Sequence, residues 1–309
     1  MSTDLRLSPR LREGDLVRLV SPASFPPRSD IDAYRTTLEG WGLRCDTGDH
    51  VLDRHGYMAG SDADRLEDLD RAFRDPGVRA VLTTRGGAGA YRIADDIDFA
   101  AVRADPKPLI GFSDITSLQL SLFERCRVGS IHGCLVGDTA RASVKRLLMS
   151  TEPITLERVP EAVSAPVRSP GSARGQLVGG NLQGMANSVG VRMPSMDGAI
   201  LFIEYHKAGL GTIDRYLTQL RRSGVLDGIV GVALGSFEAG RGHVDREWCV
   251  LDVLNDRLGG LGVPVLGGLY AGHDLVDGRG EHDQCALPLG SMATLDADEG
   301  TLTVDPIVG

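Results

Sequence analysis

Short apolar runs recur along the first half of the chain, each closed by small or polar residues and followed by a stretch with helical spacing. Leu16 to Val20 (LVRLV) is the first and runs into Ser21-Pro22-Ala23-Ser24. An apolar run of this length, bounded by turn residues, reads as a buried strand. The next segment predicts a helix with Ser29 as N-cap and Asp32 three residues on, running towards Trp41-Gly42. A second helix has Ser61 as N-cap with Asp64, and Leu66, Leu69, Ala72 and Phe73 form its apolar stripe. Val78 to Thr84 is another strand, entering Arg85-Gly86-Gly87-Ala88-Gly89 and then a helix from about Tyr91. Pro108 to Phe112 is a further strand, breaking at Ser113-Asp114 into a helix through Leu118, Leu122 and Phe123, and Val128 to His132 closes the series. Strands alternating with helices predict an α/β fold with a doubly wound, mostly parallel sheet.

The pattern changes between Thr151 and Arg174, where Pro153, Pro160, Pro166 and Pro170 punctuate a stretch with only short apolar runs. This is the expected linker (151–174) between an N-terminal domain (1–150) and a C-terminal domain (175–309). The second half opens with Gly175-Gln176-Leu177-Val178-Gly179-Gly180-Asn181 and continues with a strand at Ala199 to Glu204 and a helix around Ile213 to Ser223. A strand at Gly228 to Phe237, a helix from about Asp245 to Leu258 and a strand at Val263 to Leu266 follow. Cys285 to Leu287, Ala293 to Leu295 and Thr301 to Val304 read as short antiparallel strands joined by turns such as Asp298-Glu299-Gly300. The second domain is therefore expected to be smaller, β-rich and α+β.

Composition narrows the function classes. A length of 309 residues exceeds the usual single core and suits two domains. Net charge is −9 and no basic stripe is present, so a nucleic-acid partner is not expected. No run approaches the ~18 apolar residues of a membrane span. Met1 to Glu13 is polar and has no apolar signal region. Five cysteines (Cys45, Cys126, Cys134, Cys249, Cys285) are scattered, odd in number and without C-x-x-C spacing. Reduced thiols and a cytoplasmic location are the expectation.

Four places could carry chemistry. Ser113, in Gly111-Phe112-Ser113-Asp114, stands where a strand turns into a helix, so the first free N–H groups of that helix would face an oxyanion formed at its hydroxyl. Local sequence leaves a second reading open, a plain N-cap, since serine is favoured there. Ile115 occupies the place of the second Gly of G-x-S-x-G, which excludes an α/β-hydrolase elbow. The Arg85 to Gly89 loop could bring backbone close to a ligand or be only a tight turn. Arg92 stands where a dinucleotide fingerprint starting at Gly87 needs glycine. Glu204 ends an almost wholly apolar strand, at the strand end where α/β sites gather. His273 follows a Gly-rich segment, and its neighbour Asp274 is badly placed to partner it. His243 with Glu247, and His282-Asp283, do not form a metal-binding pattern, so no metal is expected.

The ordered set of segments resembles the LD-carboxypeptidase family, which includes the microcin C self-immunity peptidases. The resemblance runs through Leu19-Val20-Ser21-Pro22-Ala23, Arg85-Gly86-Gly87-Ala88-Gly89, Lys107 to Asp114 and His132-Gly133. It continues with Gly180-Asn181-Leu182, Gly198 to Glu204, Asp214 to Leu220 and Gly272-His273. It implies a metal- and cofactor-free serine peptidase with Ser113 as nucleophile, His273 as base and Glu204 orienting the base. It also implies a site between two domains, commonly a homodimer, and a small peptide or muropeptide substrate cut before a C-terminal D-amino acid. Backbone N–H groups of Asp114 and of Gly86 or Gly87 would form the oxyanion hole, and Arg85 and Ala88 are candidate substrate contacts. The free carboxylate of the leaving residue calls for a cation or a helix N-terminus.

The chain departs from the family pattern at Ala88, Cys134, Gln183 and Tyr205-His206-Lys207, which bears on substrate choice and leaves the triad intact. Two alternatives stand beside this reading. One is an immunity-type amidase acting on aminoacyl-sulfamoyl or phosphoramidate adenylates, and the other a non-catalytic two-domain protein binding a small ligand.

Overall fold

The structure, a computed structural model, describes residues 5–239, 247–273 and 283–309. In the first half, strands β1 (Leu16–Val20), β2 (Arg44–Thr47), β3 (Val78–Thr83), β4 (Leu109–Gly111) and β5 (Ser130–His132) form a parallel sheet. A strand from the far end of the chain, Leu287–Leu289, adds antiparallel to β5. Helices α1 (Arg28–Glu39), α2 (Asp62–Arg74), α3 (Ala90–Ile93), α4 (Phe99–Ala104), α5 (Thr116–Cys126) and α6 (Asp138–Met149) supply the connections and cover.

Helix α2 begins as the sequence predicts. The Ser61 hydroxyl accepts from Asp64 N at 3.2 Å while Ser61 N donates to the Asp64 carboxylate at 2.9 Å. Helix α1 does not. It starts one residue before Ser29, with Pro27 as N-cap and no side-chain cap bond, and the Ser29 hydroxyl donates instead to Asp30. The ring of Pro27 fixes φ at −63°, so chain entry is already set without a capping side chain. Lys107, fully buried just before β4, donates to the carbonyls of Ala72, Phe73 and Asp75 at the end of α2. One ammonium thereby satisfies orphan helix carbonyls and anchors the strand that leads to Ser113.

The second sheet has eight strands. At its centre β8 (Ser172–Asn181), β9 (Ala199–Ala208), β10 (Gly231–Ala239) and β11 (Val265–Leu266) run parallel. Antiparallel β7 (Arg168–Ser169) closes one edge. Strands β13 (Met292–Asp296), β14 (Thr301–Val304) and β6 (Ile154–Glu157) extend the other edge, while Leu287–Leu289 is β12. Thus the stretch from Thr151 to Arg174, expected as a linker, carries β6, β7 and the start of β8. Helices α7 (Leu182–Ser188), α8 (Leu210–Arg222) and α9 (Val250–Leu258) complete this half. The expected start of α9 near Asp245 lies outside the described residues. No helix of the described residues is long and apolar enough to cross a membrane.

Strand β9 explains why its sequence is continuously apolar. Ile200 and Phe202 belong to one hydrophobic core, Leu201 and Ile203 to another, and all four are fully buried. Period-two alternation on a strand covered on both faces leaves no polar positions. The two halves meet at the first residue of α5. Asn181 N donates to the Thr116 hydroxyl at 3.0 Å, and a side chain on Gly180 would come within 2.6 Å of the same oxygen. Glycine at 180 therefore lets β8 press against the helix that follows Ser113.

Candidate active site

Strand β4 ends at Gly111, where any Cβ would lie 2.3 Å from the Thr83 hydroxyl. Phe112 is extended, and Ser113 then takes a left-handed backbone with φ +64° at the start of a single 3₁₀ turn leading into α5. That conformation costs a non-glycine residue about 1 kcal/mol, and it turns the Ser113 side chain out of the helix. The N-cap reading fails, because Phe112 caps the 3₁₀ turn, Ile115 precedes α5, and neither element has a side-chain cap bond.

The glycine loop after β3 is fitted to this turn. A Cβ on Gly86 would stand 2.7 Å from Ser113 Cβ and 3.2 Å from Ser113 Oγ, so the backbone itself walls the nucleophile. Ala88 N donates to the Ser24 hydroxyl at 3.2 Å, and Ala90 N donates to the Asp114 carboxylate at 2.7 Å. Burial pushes Asp114 up to about 6 against the opposing N–H groups of Ala90 and Gly89.

Glu204 lies at the C-terminal end of the apolar part of β9, in register with Asn181 on β8, and is fully buried. Its Oε2 accepts from His273 Nδ1 at 2.7 Å and from His273 N at 3.2 Å, while Oε1 accepts from Asn181 Nδ2 at 3.1 Å. One carboxylate thus fixes both the ring and the backbone of the histidine. Gly272, at φ +111°, permits this approach, since a Cβ there would meet Glu204 Cβ at 2.7 Å. Burial acts to raise Glu204. The charge and hydrogen bond of His273, then His132 and Asn181, outweigh burial and hold it down to about 2. With Nδ1 engaged by Glu204, the assigned tautomer leaves Nε2 available to a nucleophile.

His273 packs against Phe112, with ring centroids 4.6 Å apart, and stacks on His206 at 5.1 Å. Ser113 and His273 line one cavity of about 370 Å³. No hydrogen bond joins them among the described residues; in unliganded enzymes such contacts often tighten only with substrate.

Asn181 and His132 belong to the motif segments but carry no role that their local sequence assigns. The available signal was that each ends a strand pointing at the same place. His132 is fully buried, with Nε2 3.7 Å from Glu204 Oε1 and, among the described residues, no hydrogen-bond partner on either ring nitrogen. Burial pushes it down to about 4; Glu204 opposes that shift and His273 adds to it. Unfolded histidine titrates near 6.5. Between pH 6.5 and 4 the unfolded chain therefore binds a proton that the folded chain refuses, so His132 costs stability as pH falls. The loss is roughly 3 kcal/mol by pH 4, at about 1.4 kcal/mol per unit. Asp114 contributes with the opposite sign over a similar range, so comparison with a variant isolates the histidine. Urea unfolding at neutral and acid pH should show His132→Gln losing about 3 kcal/mol less on acidification than the wild type. An identical acid sensitivity would mean that His132 is not held neutral.

A second cavity, of about 520 Å³, also reaches Ser113 and is lined by Ala88, Asn181 and Gln183 among others. Arg85 lines the first cavity, as do Cys134, Asp30 and Asp283. Asp283, weighed with His282 for a metal, accepts from Thr139 N and Ala140 N at 2.9 and 2.8 Å and so caps α6. His243, Asp274 and His282 lie outside the described residues.

Comparison with known proteins gives the family. Residues 17–133 match the LD-carboxypeptidase N-terminal domain and residues 174–295 the LD-carboxypeptidase C-terminal domain. A putative carboxypeptidase of Streptomyces coelicolor is 40% identical over 309 residues, covering 96% of this chain and 95% of that protein. A probable murein peptide carboxypeptidase of Bacillus subtilis is 34% identical over 307 residues, covering 96% and 93%. The solved structure of a microcin C7 self-immunity protein shares the fold, with a TM-score of 0.85 at 22% identity over 98% of this chain and 99% of that one. The chain belongs to the LD-carboxypeptidase family.

Proposed function

We propose that the protein is a serine LD-carboxypeptidase that removes the C-terminal D-amino acid from muropeptide tetrapeptides through an acyl-enzyme. The observation that carries this reading is the Glu204–His273 hydrogen bond at 2.7 Å, made at the edge of the cavity that Ser113 enters. His273 Nε2 takes the Ser113 proton as Oγ attacks the amide carbonyl carbon. The resulting oxyanion is held by backbone N–H groups of Asp114 and of Gly86 or Gly87, each donor contributing about 3 kcal/mol in the transition state. His273 passes its proton to the amine as the C–N bond breaks, then deprotonates the water that hydrolyses the Ser113 ester. Glu204 stays ionised and offsets the imidazolium charge.

The base must protonate the leaving amine, and His273 lines the first cavity but not the second. The leaving residue therefore belongs in the first cavity, with the acyl chain extending into the second. Mass spectrometry of the protein incubated with an L,D-tetrapeptide, its all-L counterpart and an aminoacyl-sulfamoyl adenylate tests the reading. Loss of the terminal residue is expected from the L,D-peptide alone. Hydrolysis of the adenylate with both peptides intact would assign the protein to immunity-type amidases instead.

A further inference from the structure

We propose that Arg85 binds the free carboxylate of the leaving residue and so restricts the enzyme to the chain terminus; this rests on the LD-carboxypeptidase reading above. Arg85 directly precedes Gly86, whose Cβ position is 3.2 Å from Ser113 Oγ. Consecutive Cα atoms are about 3.8 Å apart, so the Arg85 side chain starts within one residue of the nucleophile. The carboxylate carbon of a leaving residue is three bonds from the carbonyl carbon under attack, within about 4 Å of it. Arg85 and Ser113 line the same cavity, so a leaving residue placed there has its carboxylate within the reach of this side chain.

The alternatives for that carboxylate are occupied or repulsive. Among the described residues Arg85 is the only lysine or arginine lining this cavity, and no carboxylate pairs with it. The arginine of the second cavity, Arg192, is already paired with Asp95 at 2.7 Å. The N-terminus of α6 is filled by Asp283 through Thr139 N and Ala140 N. Asp30, in the first turn of α1, lines the cavity and would repel an anion. A guanidinium that is exposed and, among the described residues, unpaired loses little on receiving a carboxylate, and its fork can make two parallel charge-assisted bonds.

The test compares an L,D-tetrapeptide bearing a free C-terminal carboxylate with the same peptide as its C-terminal amide, using the wild type, Arg85→Ala and Arg85→Lys. The wild type should strongly prefer the acid. In Arg85→Ala, KM for the acid should rise roughly 10- to 100-fold, the range for a hydrogen bond to a charged group, with kcat little changed and the amide rate unaffected. Arg85→Lys should fall between the two. If Arg85→Ala keeps the wild-type preference for acid over amide, or loses kcat equally on both, the assignment of Arg85 is wrong. A wild type that releases nothing from the acid peptide overturns the carboxypeptidase reading, and this inference with it.

Discussion

Replacing Ser113 with alanine is expected to lower kcat on an L,D-tetrapeptide by about 10⁴- to 10⁶-fold, the range seen when a triad nucleophile is removed, while leaving substrate binding near its wild-type value. The fold should survive the change. Alanine meets the same steric cost at φ +64° as serine does, and the Ser113 hydroxyl makes no cap bond that alanine would forfeit. A second substitution separates chemistry from strain. Ser113→Gly should be equally inactive yet more stable than the wild type by about 1 kcal/mol, because glycine adopts a left-handed backbone without penalty. Thermal melting and turnover measured on the three proteins check both statements. Substantial activity in Ser113→Ala would remove the nucleophile from the proposal. A glycine variant no more stable than the serine would mean that the turn carries no strain.

Much of the fold was legible because local chemistry and burial agreed. Leu16 to Val20 and Ser61 to Asp64 are read correctly from an apolar run and a capping pair, since nothing distant competes with either signal. The misreadings have one local cause and one distant one. Ser29 looks like a cap, but the fixed φ of Pro27 removes the need for one. The prolines between Thr151 and Arg174 suggest open loop, yet β6 and β7 find partners in β14 and β11, more than a hundred residues and nearly a hundred residues away. No periodicity within the segment could reveal pairing of that range.

The site divides in the same way. Ser113 and Glu204 stand out because each breaks an apolar strand at its end. His132 and Asn181 do so as well, but their meaning depends on the register of β8 against β9 and on how the first sheet meets the second. Asp283 illustrates the converse. Its sequence context, beside His282 and outside any metal-binding pattern, gives it no role, whereas the fold uses it to hold α6 across 144 residues of sequence.

Glu204→Gln is expected to reduce kcat by about 10³- to 10⁴-fold, as loss of the charge behind a catalytic histidine does elsewhere, with KM changed only a few-fold. The hydrogen bonds explain why a near-isosteric residue fails. Oε2 accepts two donors from His273 and Oε1 accepts one from Asn181. A glutamine has one acceptor oxygen and one donor nitrogen for these three donors. If its NH₂ faces Asn181, two donors oppose each other. Asn181 resists flipping, because its Oδ1 already accepts from Gln183 N at 3.1 Å. If the NH₂ faces His273, it opposes the backbone N–H and favours the tautomer with Nε2 protonated, which cannot take the serine proton. Either arrangement also loses the negative charge that balances the imidazolium. Glu204 is held at about 2, below its ordinary value, so its charge persists as pH falls until about that point. Activity lost by the wild type on mild acidification therefore does not come from Glu204. Steady-state kinetics on Glu204→Gln across pH 5 to 9, with melting curves to establish that the protein is folded, make the comparison. A variant retaining more than about a tenth of wild-type kcat would show that the histidine is oriented by something other than this carboxylate.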